Sequence, residues 1–276
     1  ESVLAGYDLG PDDLIVLDSG QHAAGAVIAA EDEGATIIGS VAGSYISGVV
    51  LRDSDHTLFE MVGFRGAGTG LHLEGDGAGD AQGNVVRRCV FDAIDVGIQI
   101  DSRESNLIEN NRFVAPEEGS AGTGIYLSPG VISTVRDNDI AGRQTGIYND
   151  SRVADVYGNL IHQNAVGMSS RRGVLGPDNP APYGTAGGLP VNIMDANGIG
   201  ILIPSDAVGV VVRFNEIRYS GEVGIDQQGE GSRIIANHVH DNPIGIRGTH
   251  AIGPDGWGAE LHNLVQANEV GVLAHE

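Results

Sequence analysis

Two tyrosines 22 residues apart, Tyr126 and Tyr148, each follow a Gly-Ile pair, and amides, carboxylates and guanidiniums recur around them as Gln99, Asp101, Asp150, Arg171 and Arg172. Aromatic faces beside planar polar side chains suit sugar rings, which offer apolar C–H faces and hydroxyls together. The same residues could instead abstract a proton. Tyr126, Tyr148 or His72 would act as base, and Arg171 would neutralise a uronate carboxylate. The tyrosines also fit a third role, a ladder that does no more than join neighbouring strands through cross-strand pairing.

Other candidates lie in loops. Val174-Leu-Gly-Pro-Asp178-Asn and Ala251-Ile-Gly-Pro-Asp255-Gly-Trp257 share a Gly-Pro-Asp turn, and the insertions around them carry Tyr183 and Trp257, the only Trp. Loops on a rigid scaffold commonly hold binding residues, although such a turn also serves as a plain reversal. Asp76 and Asp80, with Gln82, space oxygens along a Gly-rich loop as calcium prefers, but without the Asp-x-Asp-x-Asp-Gly order or a distant bidentate Glu. Calcium is the only cofactor this pattern suggests, and a solvated acidic turn explains it better. The nine His share no metal spacing; His238-x-His240 alternates on a strand and reads as surface His. The expected ligand-facing set is therefore Gln99, Asp101, Tyr126, Tyr148, Asp150, Arg171, Arg172, Tyr183, Asp226 and Trp257.

These residues need a frame, and a repeat supplies one. Anchors at Ser40, Val62, Cys89, Asn111, Asn138, Asn159, Asn192, Asn215, Asn237 and Asn268 recur at a base period of about 22 residues, stretched by insertions to 33 and 31. Short Val- and Ile-rich runs precede each anchor, as in Asn84-Val-Val-Arg-Arg-Cys89-Val-Phe, and a Gly-Ile-x-Ile run follows. Alternation over runs this short, bounded by Gly, Asn and Asp, specifies strand. One strand type recurring in one direction per period must stack in parallel, coil upon coil. Asn at a corner is expected to take the left-handed conformation and to bond the Asn one coil away. Gly97, Gly124, Gly146, Gly167, Gly200, Gly224 and Gly245 are expected to supply the other bend. Ile98, Ile125, Ile147, Met168, Ile201, Ile225 and Ile246 form the inward column. The residue after each of these, from His72 and Gln99 to Asp226 and Arg247, faces solvent, as does the residue two further on.

The repeated V-x-x-N-x-[IFV]…G-I-x-I resembles that of right-handed parallel β-helix proteins: NosD-like and carbohydrate-binding β-helix proteins, and more distantly pectate lyases and mannuronan epimerases. The resemblance covers residues 12 to 276. It implies an all-β fold, a single right-handed parallel β-helix of about ten coils with an Asn ladder and loop insertions, in one domain spanning 1–276. It describes the scaffold rather than a site. The Asp-Pro-His-Glu run of the epimerases has only Asp53-Ser-Asp55-His56 as its nearest match, and the polygalacturonase-like clusters are absent.

Composition narrows the function further. A net charge of -22 argues against nucleic acid and anionic membrane surfaces as partners. All fifteen basic residues are Arg, so no lysine can serve as a catalytic base. The lone Cys89 is expected as a buried free thiol in the ladder position, and no apolar run is long enough to span a membrane. Both ends read as cut, as in a piece of a larger secreted, periplasmic or cell-surface protein. The expectation is a non-catalytic module acting as a rigid spacer with a carbohydrate-binding surface, with further domains of the same polypeptide as partners. The alternative is a lyase or epimerase acting on an acidic glycan such as alginate or pectate.

Overall fold

The computed structural model describes residues 9–40, 43–75, 81–92, 95–115, 120–177, 190–248 and 262–274. Each turn of the chain lays down up to three strands. In one coil these are Leu107–Glu109, Arg112–Val114 and Ser120–Leu127; in the next they are Thr134–Arg136, Asp139–Ala141 and Arg143–Asn149. Every pairing is parallel and joins equivalent strands of successive coils, such as Ile108 with Val135, Phe113 with Ile140 and Ile125 with Ile147. The chain is a right-handed parallel β-helix. First strands form a seven-stranded sheet ending at Asp155–Tyr157, then a three-stranded sheet starting at Val174–Leu175. Second and third strands run on without that interruption, pairing Leu160 with Ile193 and Met168 with Ile201.

Alternation buries one residue column per strand type. The third-strand column Ile98, Ile125, Ile147, Met168, Ile201, Ile225 and Ile246 is fully buried, as its spacing predicts. On the second strands Phe64, Phe91 and Phe113 stack at 4.6 Å between successive centroids, each pair adding about 0.5–1.5 kcal/mol beyond area burial. First strands carry an outward column of alternating charge in which Arg87 donates to Glu60 and Arg136 to Glu109, at 2.8 and 2.6 Å.

The Asn ladder exists, with corrections. Side-chain amides link Asn111, Asn138, Asn159, Asn192, Asn215, Asn237 and Asn263 at 3.0–3.1 Å, and Cys89 N–H donates to Asn111 Oδ1. The last rung is Asn263, not Asn268. Asn268 belongs to a second ladder, five residues past the first, in which Asn164 bonds Asn197 and Asn242 bonds Asn268. The left-handed residue is the one before the Asn at five of these corners, Gly158 and, with φ of 53–55°, Asn110, Asp137, Phe214 and Ala236. The Asn itself stays in an ordinary conformation and turns its amide inward, satisfying carbonyls of the corner and of the previous coil. Its polarity is thus used for burial rather than for bending.

The glycine column also has a different cause. Gly97, Gly124, Gly146, Gly167, Gly200, Gly224 and Gly245 lie within third strands without left-handed φ. A Cβ on any of them would sit 2.4–2.6 Å from the carbonyl oxygen of the equivalent glycine in the next coil. Close approach excludes the side chain, not a bend.

Two coils depart from Asn in the second ladder, one with Ser220 between Asn197 and Asn242 and one with Arg143 before Asn164. Arg143 takes the position of Asn164 and is 1% exposed; its guanidinium donates to the carbonyls of Phe91 and Val114, 2.9 and 2.6 Å away in two earlier coils. Burial pushes its pKa down to about 10.

Candidate functional site

Parallel stacking places side chains of equivalent third-strand positions in one outward column. It runs Val50, His72, Gln99, Tyr126, Tyr148, Ser169, Leu202, Asp226 and Arg247. The expected residues come together over its middle, where Tyr126 and Tyr148 stack with centroids 5.0 Å apart and planes 5° from parallel. Both rings are half-buried, leaving a ridge tipped by hydroxyls.

Beside Tyr126, Asp101 gathers three donors. His72 Nε2 lies 2.6 Å from Asp101 Oδ2, Gln99 Nε2 donates to the same oxygen at 2.8 Å, and the Ser128 hydroxyl donates to Oδ1. Burial disfavours the Asp101 charge, but the hydrogen bonds from Ser128, His72 and Gln99 outweigh it and hold the carboxyl below its ordinary range. An ionised Asp101 can only accept here, so His72 Nε2 is the donor in this contact.

Beside Tyr148, Asp150 is 8% exposed, and Arg172 Nε lies 3.3 Å from its Oδ1. That contact is electrostatic only, and Asp150 Oδ1 has no hydrogen-bond partner within the protein. Arg171 pairs with Asp206 at 2.7 Å. The Tyr148 hydroxyl is pushed above its ordinary pKa, by burial first, with Asp150, Tyr126 and Asp206 adding to it and Arg171 opposing.

Not every outward position is open. Asp226 is 1% exposed, clamped by Arg247 Nε and Nη2 at 2.9 and 2.7 Å and contacted by Gln228. Its carboxylate is committed to the neighbouring coil rather than to solvent. Ser169 is also covered, at 6% exposure between larger neighbours. Tyr183, Trp257, Asp76 and Asp80 lie outside the described residues.

Sequence reasoning missed Asp206, whose corner follows no period, and gave Ser128 no role. It also gave His238 and His240 no partners. Their rings stack at 4.2 Å, with Asp241 2.6 Å from His240 Nδ1 and Gln266 2.9 Å from His238 Nε2. Away from the tyrosines, Asp55 and His56 meet Glu33, donor atoms lying within 4.8 Å of one another. This is the one such trio among the described residues. Glu33 and His56 are exposed, and Asp55 already accepts the Gln82 N–H at 2.9 Å.

Residues 12–174 match the model of the family described as periplasmic copper-binding protein (NosD). The chain belongs to this family. No curated protein sequence matches it. Among solved structures it is similar to the tailspike protein of E. coli bacteriophage HK620 in complex with a pentasaccharide, at 13% identity and TM-score 0.55, covering 88% of this chain and 48% of that one. The catalytic unit of a GH87 α-1,3-glucanase from Streptomyces thermodiastaticus gives 14%, 0.56, 95% and 62%. The alginate lyase AlyF-OU02 gives 15%, 0.51, 98% and 59%. At these identities the similarity is one of fold, and the chain spans less than two thirds of each neighbour.

Proposed function

We propose that this protein is a glycan-binding module whose rigid rod presents the third-strand face to a neutral polysaccharide, with Tyr126 and Tyr148 as its contact ridge. The parallel stack of the two tyrosines carries the reading. Two half-buried phenols offer apolar surface to pyranose C–H faces, and their hydroxyls can donate to or accept from sugar hydroxyls. Neutral sugars fit better than uronates, because Arg171 and Arg172 are already paired with Asp206 and Asp150. An acidic polymer would have to break those pairs within a chain of net charge -22. The fold neighbours, a tailspike bound to a pentasaccharide and enzymes named for glucan and alginate, agree with a glycan partner. The family's periplasmic description supports an extracytoplasmic location.

One observation favours the lyase or epimerase alternative. The Asp101 contact orients His72 as a general base would need. The raised pKa of Tyr148 works against a tyrosinate base.

Copper fits poorly among the described residues. Their one trio of converging donors has a single imidazole, and the thiol of Cys89 is buried with its pKa pushed up to about 12, whereas copper favours several imidazoles or soft sulfur ligands.

Affinity electrophoresis against neutral glucans, alginate and pectate tests the proposal. Retardation by a neutral polymer that Tyr148→Ala abolishes is the expected result. Release of unsaturated, ultraviolet-absorbing ends from alginate or pectate would replace the module with a lyase.

A further inference from the structure

The corner that leads into the first strands stacks coil on coil like the strands themselves. The register that pairs Thr36 with Leu58 and Leu58 with Val85 brings Glu33, Asp55 and Gln82, each three residues before its strand residue, to equivalent places. Backbone bonds fix this corner: Gly34 N–H donates to the Asp55 carbonyl at 2.7 Å, and His56 N–H to the Gln82 carbonyl at 2.8 Å. The next column, Gly34, His56 and Gly83, is left-handed throughout, with φ of 79, 56 and 66°. Only His56 carries a side chain there.

The glycine one coil on makes room for the imidazole. A Cβ on Gly83 would fall 2.8 Å from His56 Cδ2 and 3.0 Å from Nε2, so that edge of the ring lies against bare backbone. The opposite nitrogen, Nδ1, is 3.6 Å from Glu33 Oε1. Asp55 completes the group, with one donor atom from each of the three residues within 4.8 Å of the others. Asp55 Oδ1 accepts the Gln82 N–H at 2.9 Å, the kind of supporting bond that orients a metal-binding carboxylate, and a carboxylate keeps lone pairs for a further partner. The side chains of Glu33 and His56 are 55% and 61% exposed, so the group is open to ions from solvent.

We propose that Glu33, Asp55 and His56 form a zinc site, with the remaining position left to solvent. Zinc takes imidazole nitrogen and carboxylate oxygen at about 2.0–2.2 Å in a tetrahedron, which sets neighbouring ligand atoms roughly 3.3–3.6 Å apart. The 3.6 Å between Nδ1 and Oε1 already fits that edge. Two carboxylates offset the charge of the ion, and a chain of net charge -22 attracts cations. The imidazole separates the site from one for calcium, which takes oxygen ligands. Because Glu33 comes from one coil and Asp55 and His56 from the next, the ion ties two coils together. The site is separate from the tyrosine ridge, which lies on the outer face of the third strands.

Isothermal titration calorimetry of the full chain with zinc chloride, with calcium chloride as the oxygen-seeking control, tests this. Zinc is expected to show a single saturable site and to raise the unfolding temperature, because the ion binds only where the two coils are joined; calcium should bind far more weakly. His56→Gly gives this coil the residue that its column already holds on either side, so the variant should fold as the parent does while zinc affinity falls by about tenfold or more. Asp55→Asn keeps an oxygen for the Gln82 N–H and should weaken zinc to a similar degree. His238→Ala, at the stacked histidine pair, should leave zinc binding unchanged. Absence of saturable zinc binding, equal affinity for calcium, undiminished zinc affinity in His56→Gly, or loss on His238→Ala in its place would overturn the proposal.

Discussion

Tyr126 and Tyr148 occupy the same register position in successive coils, and their rings lie 5.0 Å apart and 5° from parallel. The backbone spacing of the coils imposes that separation, so neither ring needs the other to hold its place. Tyr148→Ala should lower stability by only about 0.5–1.5 kcal/mol for the stack plus its share of buried area. Chemical denaturation reads the stability and affinity electrophoresis the binding. A glycan ridge predicts binding lost in a folded variant, whereas a purely structural ladder predicts a stability change alone.

Asp101 supplies a pH signature. Its carboxyl sits below the ordinary value of 3.8 in the folded chain, so its stabilising contribution is present above that value and is lost as pH falls toward the lower, folded one. Asp101→Asn should flatten the acid limb of a stability profile and leave the neutral region nearly level. An acid limb of unchanged slope in the variant would mean that other carboxylates govern it.

Cys89 acts at the alkaline end. Its thiol is pushed from 9.0 up to about 12, chiefly by burial. The unfolded chain therefore ionises first, and stability falls between those two values as pH rises. Cys89→Ala should remove that slope, and the native thiol should resist a thiol-specific reagent until the protein unfolds.

Asn159 donates to Val135, Tyr157 and Asn192 and accepts from Asn138 while 1% exposed. Asn159→Ala strands several buried groups and should cost about 2–4 kcal/mol. Asn268→Ala, with an exposed neighbourhood and fewer partners, should cost less. Equal losses in thermal unfolding would contradict the ladder as the source.

One strand substitution and one corner substitution should move stability in opposite directions. Gly146→Ala places a Cβ 2.5 Å from Gly167 O and should cost about 1–3 kcal/mol. Ala236→Gly relieves a left-handed residue at φ 53°, worth roughly 1–2 kcal/mol before the entropy of glycine is subtracted. Differential scanning calorimetry separates them by sign.

The fold was legible because a solenoid writes its register into the sequence: one Val-x-x-Asn…Gly-Ile unit specifies all of its pairings. What escaped was geometry that residue type leaves ambiguous. Asn is a good left-handed residue, yet here the preceding residue, even Phe214, takes that conformation because the Asn amide is needed inside. The five-residue spacing from Asn159 to Asn164 and from Asn237 to Asn242 announced a second ladder, but the anchor series was read singly. At the site, alternation correctly brought Gln99, Tyr126 and Tyr148 to one face. It could not show that Asp226 lies under Arg247 or that Arg171 meets Asp206, because those contacts depend on side-chain reach across irregular corners.

The interruption of the first-strand sheet between Tyr157 and Val174 has a mechanical meaning. A rod pulled along its axis bears load in series, so every junction carries the same force and the one with fewest backbone bonds yields first. Among the described residues, that junction keeps second- and third-strand pairing and the Asn159–Asn192 and Asn164–Asn197 bonds but no first-strand pairing, whereas Arg143 straps the two tyrosine coils and the coil before them together. Extended from its ends, the protein would sooner part beyond the tyrosine ridge than through it.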